Sequence, residues 1–224
     1  MLYNNSMQRT REQILNTIIE GGIVAIMRAP SAEMLGHISE ALFAGGVSTI
    51  EVTMTTPKAI AGLEQLVDRF GEKALIGVGS VIDAATCRDA IAAGAQFVVS
   101  PVFSREVVET TRSYGKVSVP AGLTPTEILT AWKAGGDLVK VFPSTQLGPG
   151  YFREILAPLP QLRLVPTGGV DLKSVPEWIK AGAACLGIGA GLVSKDAMAK
   201  GDWGMITANA KAFVEAIRAA RGSK

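Results

Sequence analysis

Residues 83–100 read "DAATCRDAIAAGAQFVVS", and this stretch sets the architecture. Asp83 is a helix N-cap residue, the positions after it keep a helical pattern, and Gly94 stops it. "QFVVS" (96–100) is then a β-branched and aromatic run of the length of one buried strand. The same unit of helix, glycine turn and strand recurs along the chain. "AGG" or "AGA" stands at 44–46, 93–95, 134–136 and 181–183, each time just before a strand candidate. Another helix, "SAEMLGHISEALFAGG", has Ser31 as its cap and Gly45 and Gly46 as its stop.

Working outward, the strand candidates are "GIVAIMR" (22–28), "STIEVTM" (48–54), "ALIGVG" (74–79), "QFVVS" (96–100), "KVSVP" (116–120), "DLVKVF" (137–142), "RLVPT" (163–167) and "CLGIG" (185–189). Eight strands alternating with helices imply parallel pairing through right-handed crossovers, and in 224 residues they imply an α/β fold of the (β/α)₈ TIM-barrel type. An open doubly wound sheet is the alternative. Even spacing and the lack of a GxGxxG after the first strand weigh against it. A helix at 8–20 is expected to cap the barrel bottom, and a long one at roughly 202–221 to complete the ring. The expectation is a single domain over 1–224, with 1–7 flexible.

Composition narrows the function. Lys plus Arg (22) nearly balances Asp plus Glu (20), so no strong field gathers nucleic acid or an anionic membrane. A small molecule is the expected partner. Cys87 and Cys185 form no CxxC, and no secretory leader or long apolar span is read, so a soluble cytoplasmic protein is expected. The single histidine, His37, leaves little room for a His-based metal site.

Ionisable residues inside barrel strands stand out, because such strands are covered on both faces. Arg28 ends the first strand, Glu51 lies in the second and Lys140 in the sixth. In this fold catalytic groups project from the C-terminal ends of strands into a common mouth. A buried ion pair between Lys140 and Glu51, with Arg28 solvated, is one reading. The other is that an apolar wall and a nearby cation lower the pKa of Lys140, freeing a nucleophile for Schiff-base chemistry, with Glu51 moving protons. "PTGGV" (166–170) and "GIGAG" (187–191) follow the last two strands, where this fold cradles phosphate on bare backbone N–H groups. Glycines also serve tight turns. A phosphosugar isomerase or epimerase, or a non-catalytic sugar-phosphate binder, would share these loops without needing Lys140 together with Glu51.

"IVAIMR", "AGGVSTIEVTMTTP", "IGVGSV", "GAQFVVSP", "LTPTEI", "VKVFPS", "LGPGYF", "PTGGV" and "GIGAGLV", in that order, resemble the 2-keto-3-deoxy-6-phosphogluconate (KDPG) and 4-hydroxy-2-oxoglutarate (KHG) aldolases, including the 6-phosphogalactonate aldolases. The resemblance implies a lyase of the class I type, a homotrimer with no metal and no cofactor beyond the covalent Schiff base, working in carbohydrate metabolism of the Entner–Doudoroff kind. Lys140 matches the Schiff-base lysine and Glu51 the general acid/base. Arg28 and Ser80 match positions that hold the substrate's carboxylate and polar groups, and Phe142 an aromatic wall. Thr167, Gly168 and Gly169 match the part that receives the sugar-phosphate end, joined by Gly189 and Ala190 of the last loop. Several positions depart from the family pattern: Ser80 replaces threonine, Thr55 stands where some members have arginine, Ala121 replaces glycine, and Ala190 replaces a phosphate-binding serine. The implied reaction splits a 2-keto-3-deoxy-6-phospho sugar acid, gluconate or galactonate in type, into pyruvate and glyceraldehyde 3-phosphate. It extends to 4-hydroxy-2-oxoglutarate, giving pyruvate and glyoxylate.

Overall fold

The computed structural model describes residues 9–222, so the segment 1–7, expected to be flexible, lies outside the described residues. The chain begins with α1 (Arg11–Gly21) and then alternates: β1 (Ile23–Met27), α2 (Ala32–Ala44), β2 (Thr49–Thr53), α3 (Ala59–Phe70), β3 (Leu75–Gly79), α4 (Ala84–Ala92), β4 (Phe97–Val99), α5 (Arg105–Ser113) and β5 (Val117–Val119). It continues with β6 (Ala121–Gly122), α6 (Pro125–Lys133), β7 (Val139–Val141), α7 (Gly148–Leu156), β8 (Leu164–Pro166), α8 (Val175–Lys180), β9 (Leu186–Ile188), α9 (Lys195–Lys200) and α10 (Trp203–Gly222).

Every ladder is parallel, in the orders β5-β4-β3-β2-β1-β9 and β6-β7-β8, which together make a curled parallel sheet. At one junction the N–H groups of Asp137 and Lys140 donate to the carbonyls of Ser118 and Pro120, both at 2.9 Å. At the other, Ala184 N–H donates to Leu164 O at 2.9 Å and Thr167 bridges Gly187. The run "KVSVP" holds one strand, as read, and a further short strand that the sequence reading does not single out follows it. Pro120 has no N–H for the ladder, so β5 stops at Val119 and the chain resumes pairing as β6.

Side-chain alternation along the strands separates two cores. One face carries Ala25, Met27, Ile50, Val52, Ile76, Val78, Val139, Val141, Leu186 and Ile188 into the large cluster shared with the helices, including Leu35, Leu63 and Phe213. The opposite face carries Val24, Leu75, Phe97, Val99, Val117, Val119, Leu138, Val165 and Cys185 into a smaller one, where Ile14, Leu15 and Ile18 of α1 join them.

Helix α1 is well specified. Thr10 and Gln13 form a reciprocal capping box, with N–H to side-chain oxygen distances of 2.8 and 3.2 Å. Arg11 lies 3.6 Å from Asp137, whose other oxygen accepts from Ser118 N–H at 3.0 Å, so the helix is tied to the strands it covers. The helix-to-strand turns repeat in backbone conformation too: Gly46, Gly94, Gly135 and Gly182 have φ of 89°, 101°, 105° and 93°. Asp83 caps α4 as its sequence implies, accepting from Thr86 N–H at 2.8 Å. Ser31 does not do the same for α2. It occupies the N-cap position without a side-chain cap bond, because its hydroxyl serves the Glu33 carboxylate and holds that group below its ordinary pKa. Among the described residues no helix is long and apolar enough to cross a membrane.

Candidate active site

Lys140 sits in the middle of β7 with Ala121 and Val165 as its register partners. Alternation gives Leu138, Lys140 and Phe142 the same face, so the amine rises from the apolar inner cluster toward the C-terminal ends of the strands. Lys140 is 7% exposed, and its Nζ stands 4.8 Å from the centroid of the Phe142 ring, which is itself 39% exposed at the mouth. Glu51, in the middle of β2 and 2% exposed, lines the same cavity as Lys140, together with Thr167, Gly187 and Cys185.

Glycines make the room this constellation needs. A Cβ on Gly79 would lie 1.8 Å from Glu51 Oε1, one on Gly77 would meet the Phe97 ring at 2.5 Å, and one on Gly187 would meet Thr167 Oγ1 at 2.4 Å. The alternation of glycine in "ALIGVG" is the signal for this, since glycine inside a strand marks close approach of another group. The packing need is specific: the inward positions of β3 are vacated for a carboxylate from β2 and a ring from β4.

The electrostatics follow from burial. Desolvation pushes the Glu51 carboxyl above its ordinary pKa, and the positive charges of Lys140 and Arg28 pull part of that back. Among the described residues the ion pairs are Arg11–Asp137, His37–Glu40, Arg69–Glu40 and Arg105–Glu109, none involving Lys140 or Glu51. A close structural salt bridge between the two is therefore not what the fold builds. Cys185 is no rival nucleophile: burial pushes its thiol up to about 12, so it stays protonated.

The remaining residues expected at the site fall around this pair. Arg28 is exposed just past β1, close enough for its charge to act on Glu51. Ser80, directly after β3, has φ of 63°, a left-handed conformation costly for a side chain with a Cβ and concentrated at functional sites. Thr55 is exposed two residues past β2, and its hydroxyl meets that of Thr53 at 3.0 Å. Thr167 is 6% exposed and lines the cavity of the pair, whereas Gly168 and Gly169, with φ of 89° and 74°, pack beside Thr145. Gly189 and exposed Ala190 begin the loop after β9, where Gly189 O accepts from Leu192 and Val193 N–H. Gly79 and Thr53 are the members that motif reading does not single out. Among the described residues no three His, Cys, Asp or Glu side chains converge as metal ligands.

With this geometry in place, comparison with known proteins is informative. The family model for the KDPG and KHG aldolases matches residues 14–209. The 2-dehydro-3-deoxy-6-phosphogalactonate aldolase of Escherichia coli K12 is 31% identical over 198 residues, covering 88% of this chain and 96% of that protein. The 2-dehydro-3-deoxy-phosphogluconate aldolase of Treponema pallidum is 32% identical over 187 residues, covering 83% and 89%. Among solved structures, the KDPG aldolase of Legionella pneumophila, with pyruvate captured as a covalent carbinolamine, superposes with a TM-score of 0.83 at 29% identity, covering 92% of this chain and 98% of that one.

Proposed function

The chain belongs to the KDPG and KHG aldolase family, and from that premise we propose that it is a class I aldolase working through Lys140 and Glu51. It is a lyase that cleaves a 2-keto-3-deoxy-6-phospho sugar acid into pyruvate and glyceraldehyde 3-phosphate, reversibly. The observation that carries the assignment is a lysine in the wall of an apolar core, sharing a cavity with a buried carboxyl to which it is not bridged. The carbinolamine in the Legionella relative is the intermediate such an amine forms.

The Lys140 amine adds to the C2 ketone, and water leaves to give a protonated imine. That imine draws the electron pair of the C3–C4 bond as it breaks, while the C4 hydroxyl proton passes to Glu51 through a water and C4 becomes the aldehyde carbon. A raised carboxyl pKa suits Glu51 to this exchange, since it then accepts and returns protons nearer neutrality. The enamine takes a proton at C3, water attacks the imine carbon, and pyruvate leaves Lys140 free. The imine supplies the electron sink, so no metal or further cofactor enters the scheme.

Around the pair, Arg28 and Ser80 hold the carboxylate end, Phe142 walls the pocket, and Gly168, Gly169, Gly189 and Ala190 receive the phosphate. Thr167, which lines the same cavity as Lys140, reads the configuration that separates gluconate from galactonate substrates. We read the curled sheet as a closed (β/α)₈ barrel forming one domain, with α1 as its bottom cap; the hydrogen bonds from Asp137 to Ser118, from Lys140 to Pro120 and from Ala184 to Leu164 support this. The homotrimer and the cytoplasmic setting belong to the same reading. Ile82, Val102 and Leu123, exposed on loops after β3, β4 and β6, fit the former, and buried free Cys87 and Cys185 fit the latter. Incubation with pyruvate and borohydride should add a reduced pyruvate adduct on the peptide containing Lys140. No adduct, or one on another lysine, rejects the assignment; turnover of the two epimeric sugar acids then decides the substrate.

A further inference from the structure

The hydroxyl protons at the end of β2 can be counted. Thr53 Oγ1 lies 3.1 Å from the Met27 carbonyl oxygen and 3.0 Å from Thr55 Oγ1. A threonine hydroxyl has one proton to donate, and a carbonyl can only accept. Only one assignment turns both contacts into hydrogen bonds: Thr53 donates to Met27, and Thr55 donates to Thr53. The reverse would set the lone pairs of Thr53 against those of the carbonyl with no proton between. Thr53 is 2% exposed and shares the face of Glu51, so the pattern is held from below. Thr55, exposed at the mouth, is left with acceptor lone pairs alone.

We propose that Thr55 is a specificity-determining residue that accepts a hydrogen bond from a hydroxyl of the bound sugar acid and does not hold its carboxylate. A carboxylate placed there would meet lone pairs, whereas Arg28 brings a charge to the same mouth, already felt by Glu51. The position where some family members have a cation thus changes its chemistry from anion binding to hydroxyl recognition. This inference rests on the aldolase reading above.

Pyruvate separates the two roles, because it has the carboxylate of the substrate and none of its hydroxyls. Thr55→Val keeps the branched shape and removes the oxygen. With the sugar-acid phosphate, kcat/KM should fall about three- to tenfold, the range for one neutral hydrogen bond. The pyruvate concentration giving half-maximal borohydride trapping should not change, and Thr55→Ser should restore kcat/KM. Equal weakening toward pyruvate and the sugar acid would show a carboxylate contact and overturn the proposal, as would a Thr55→Val enzyme unchanged toward both. If the unsubstituted protein traps no pyruvate at all, the aldolase reading itself fails and this inference falls with it.

Discussion

Below Lys140 the inward-facing positions are Val24, Leu75, Phe97, Val117 and Leu138, sealed by Ile14 and Ile18 of α1; above it they are Thr53, Gly79, Thr167 and Gly189, open at the strand ends. Floor and rim are the lower and upper positions of one curled sheet. In the floor each side chain fills space against its neighbours, so its worth is transfer and packing energy. In the rim small residues leave space, and hydroxyl and charged groups line it. Lys140 and Glu51 stand at the boundary, where the floor withholds water from their stems and the rim gives a ligand access to their heads. On the proposed assignment, reactivity comes from the step between two environments within two residues of strand.

Lys140→Met tests that boundary most severely. It keeps length and removes the amine, so turnover and pyruvate trapping should vanish while a urea melt shows a folded protein. Residual turnover near the natural rate would break the division of labour. Glu51→Gln comes next, with an expected loss of about 10² to 10⁴ in kcat, the usual contribution of a positioned acid/base group. Its stability should move the other way. The folded-state pKa of Glu51 is raised, so its favourable contribution is complete below the ordinary value of 4.5 and is lost as pH rises through the folded-state value. At neutral pH the glutamine variant should therefore be at least as stable as the natural protein. For the same reason the acid limb of kcat/KM should lie above 4.5 and disappear in the variant. A less stable Glu51→Gln at pH 7 would mean that the carboxylate is a structural partner after all.

Ile18→Ala probes the floor. Removing a fully buried aliphatic side chain should cost about 2 to 5 kcal/mol of unfolding free energy, read by urea titration, with kcat/KM far less affected. A matching loss of activity would show that the floor also sets the chemistry. The smallest expected effect belongs to the outer rim. Ala190→Ser adds a hydroxyl beside the proposed phosphate cradle, and its bond to a charged group should raise the preference for phosphorylated substrate over 4-hydroxy-2-oxoglutarate by up to about tenfold, since backbone N–H groups already carry much of the binding. An unchanged preference would make the cradle entirely main-chain.

What could be read from residues alone follows the range of the interactions concerned. The alternation and its glycine turns are local, and Asp83 caps the helix it precedes because the bond spans three residues. Lys140 stood out because charge within a strand is costly wherever the strand lies. Ser31 misled because a nearby carboxylate competes for its hydroxyl, a choice that spacing does not decide. The two-residue strand Ala121–Gly122 is not legible because it is too short to carry an alternation of its own. Gly79 and Thr53 escaped notice for another reason: their meaning depends on Glu51, Met27 and Thr55, and only the pairing of β1, β2 and β3 brings those atoms together.

The repeated turn before the strands bears on how this gene tolerates change. At Gly94, Gly135 and Gly182 an added Cβ would meet Val67, Arg112 and Leu156 at 2.7, 2.8 and 2.7 Å, on top of an unfavourable positive φ; at Gly46 the nearest atom is 3.7 Å away and only the backbone objects. Codons for these four glycines follow every second helix, α2, α4, α6 and α8, so a randomised library under selection for folding should lose diversity in a periodic pattern along the gene. The site at Gly46 should be the most permissive of the four, admitting asparagine or aspartate, which visit the left-handed region more readily than other residues. The repetition within the fold would then be visible as a rhythm of constraint at these turn positions.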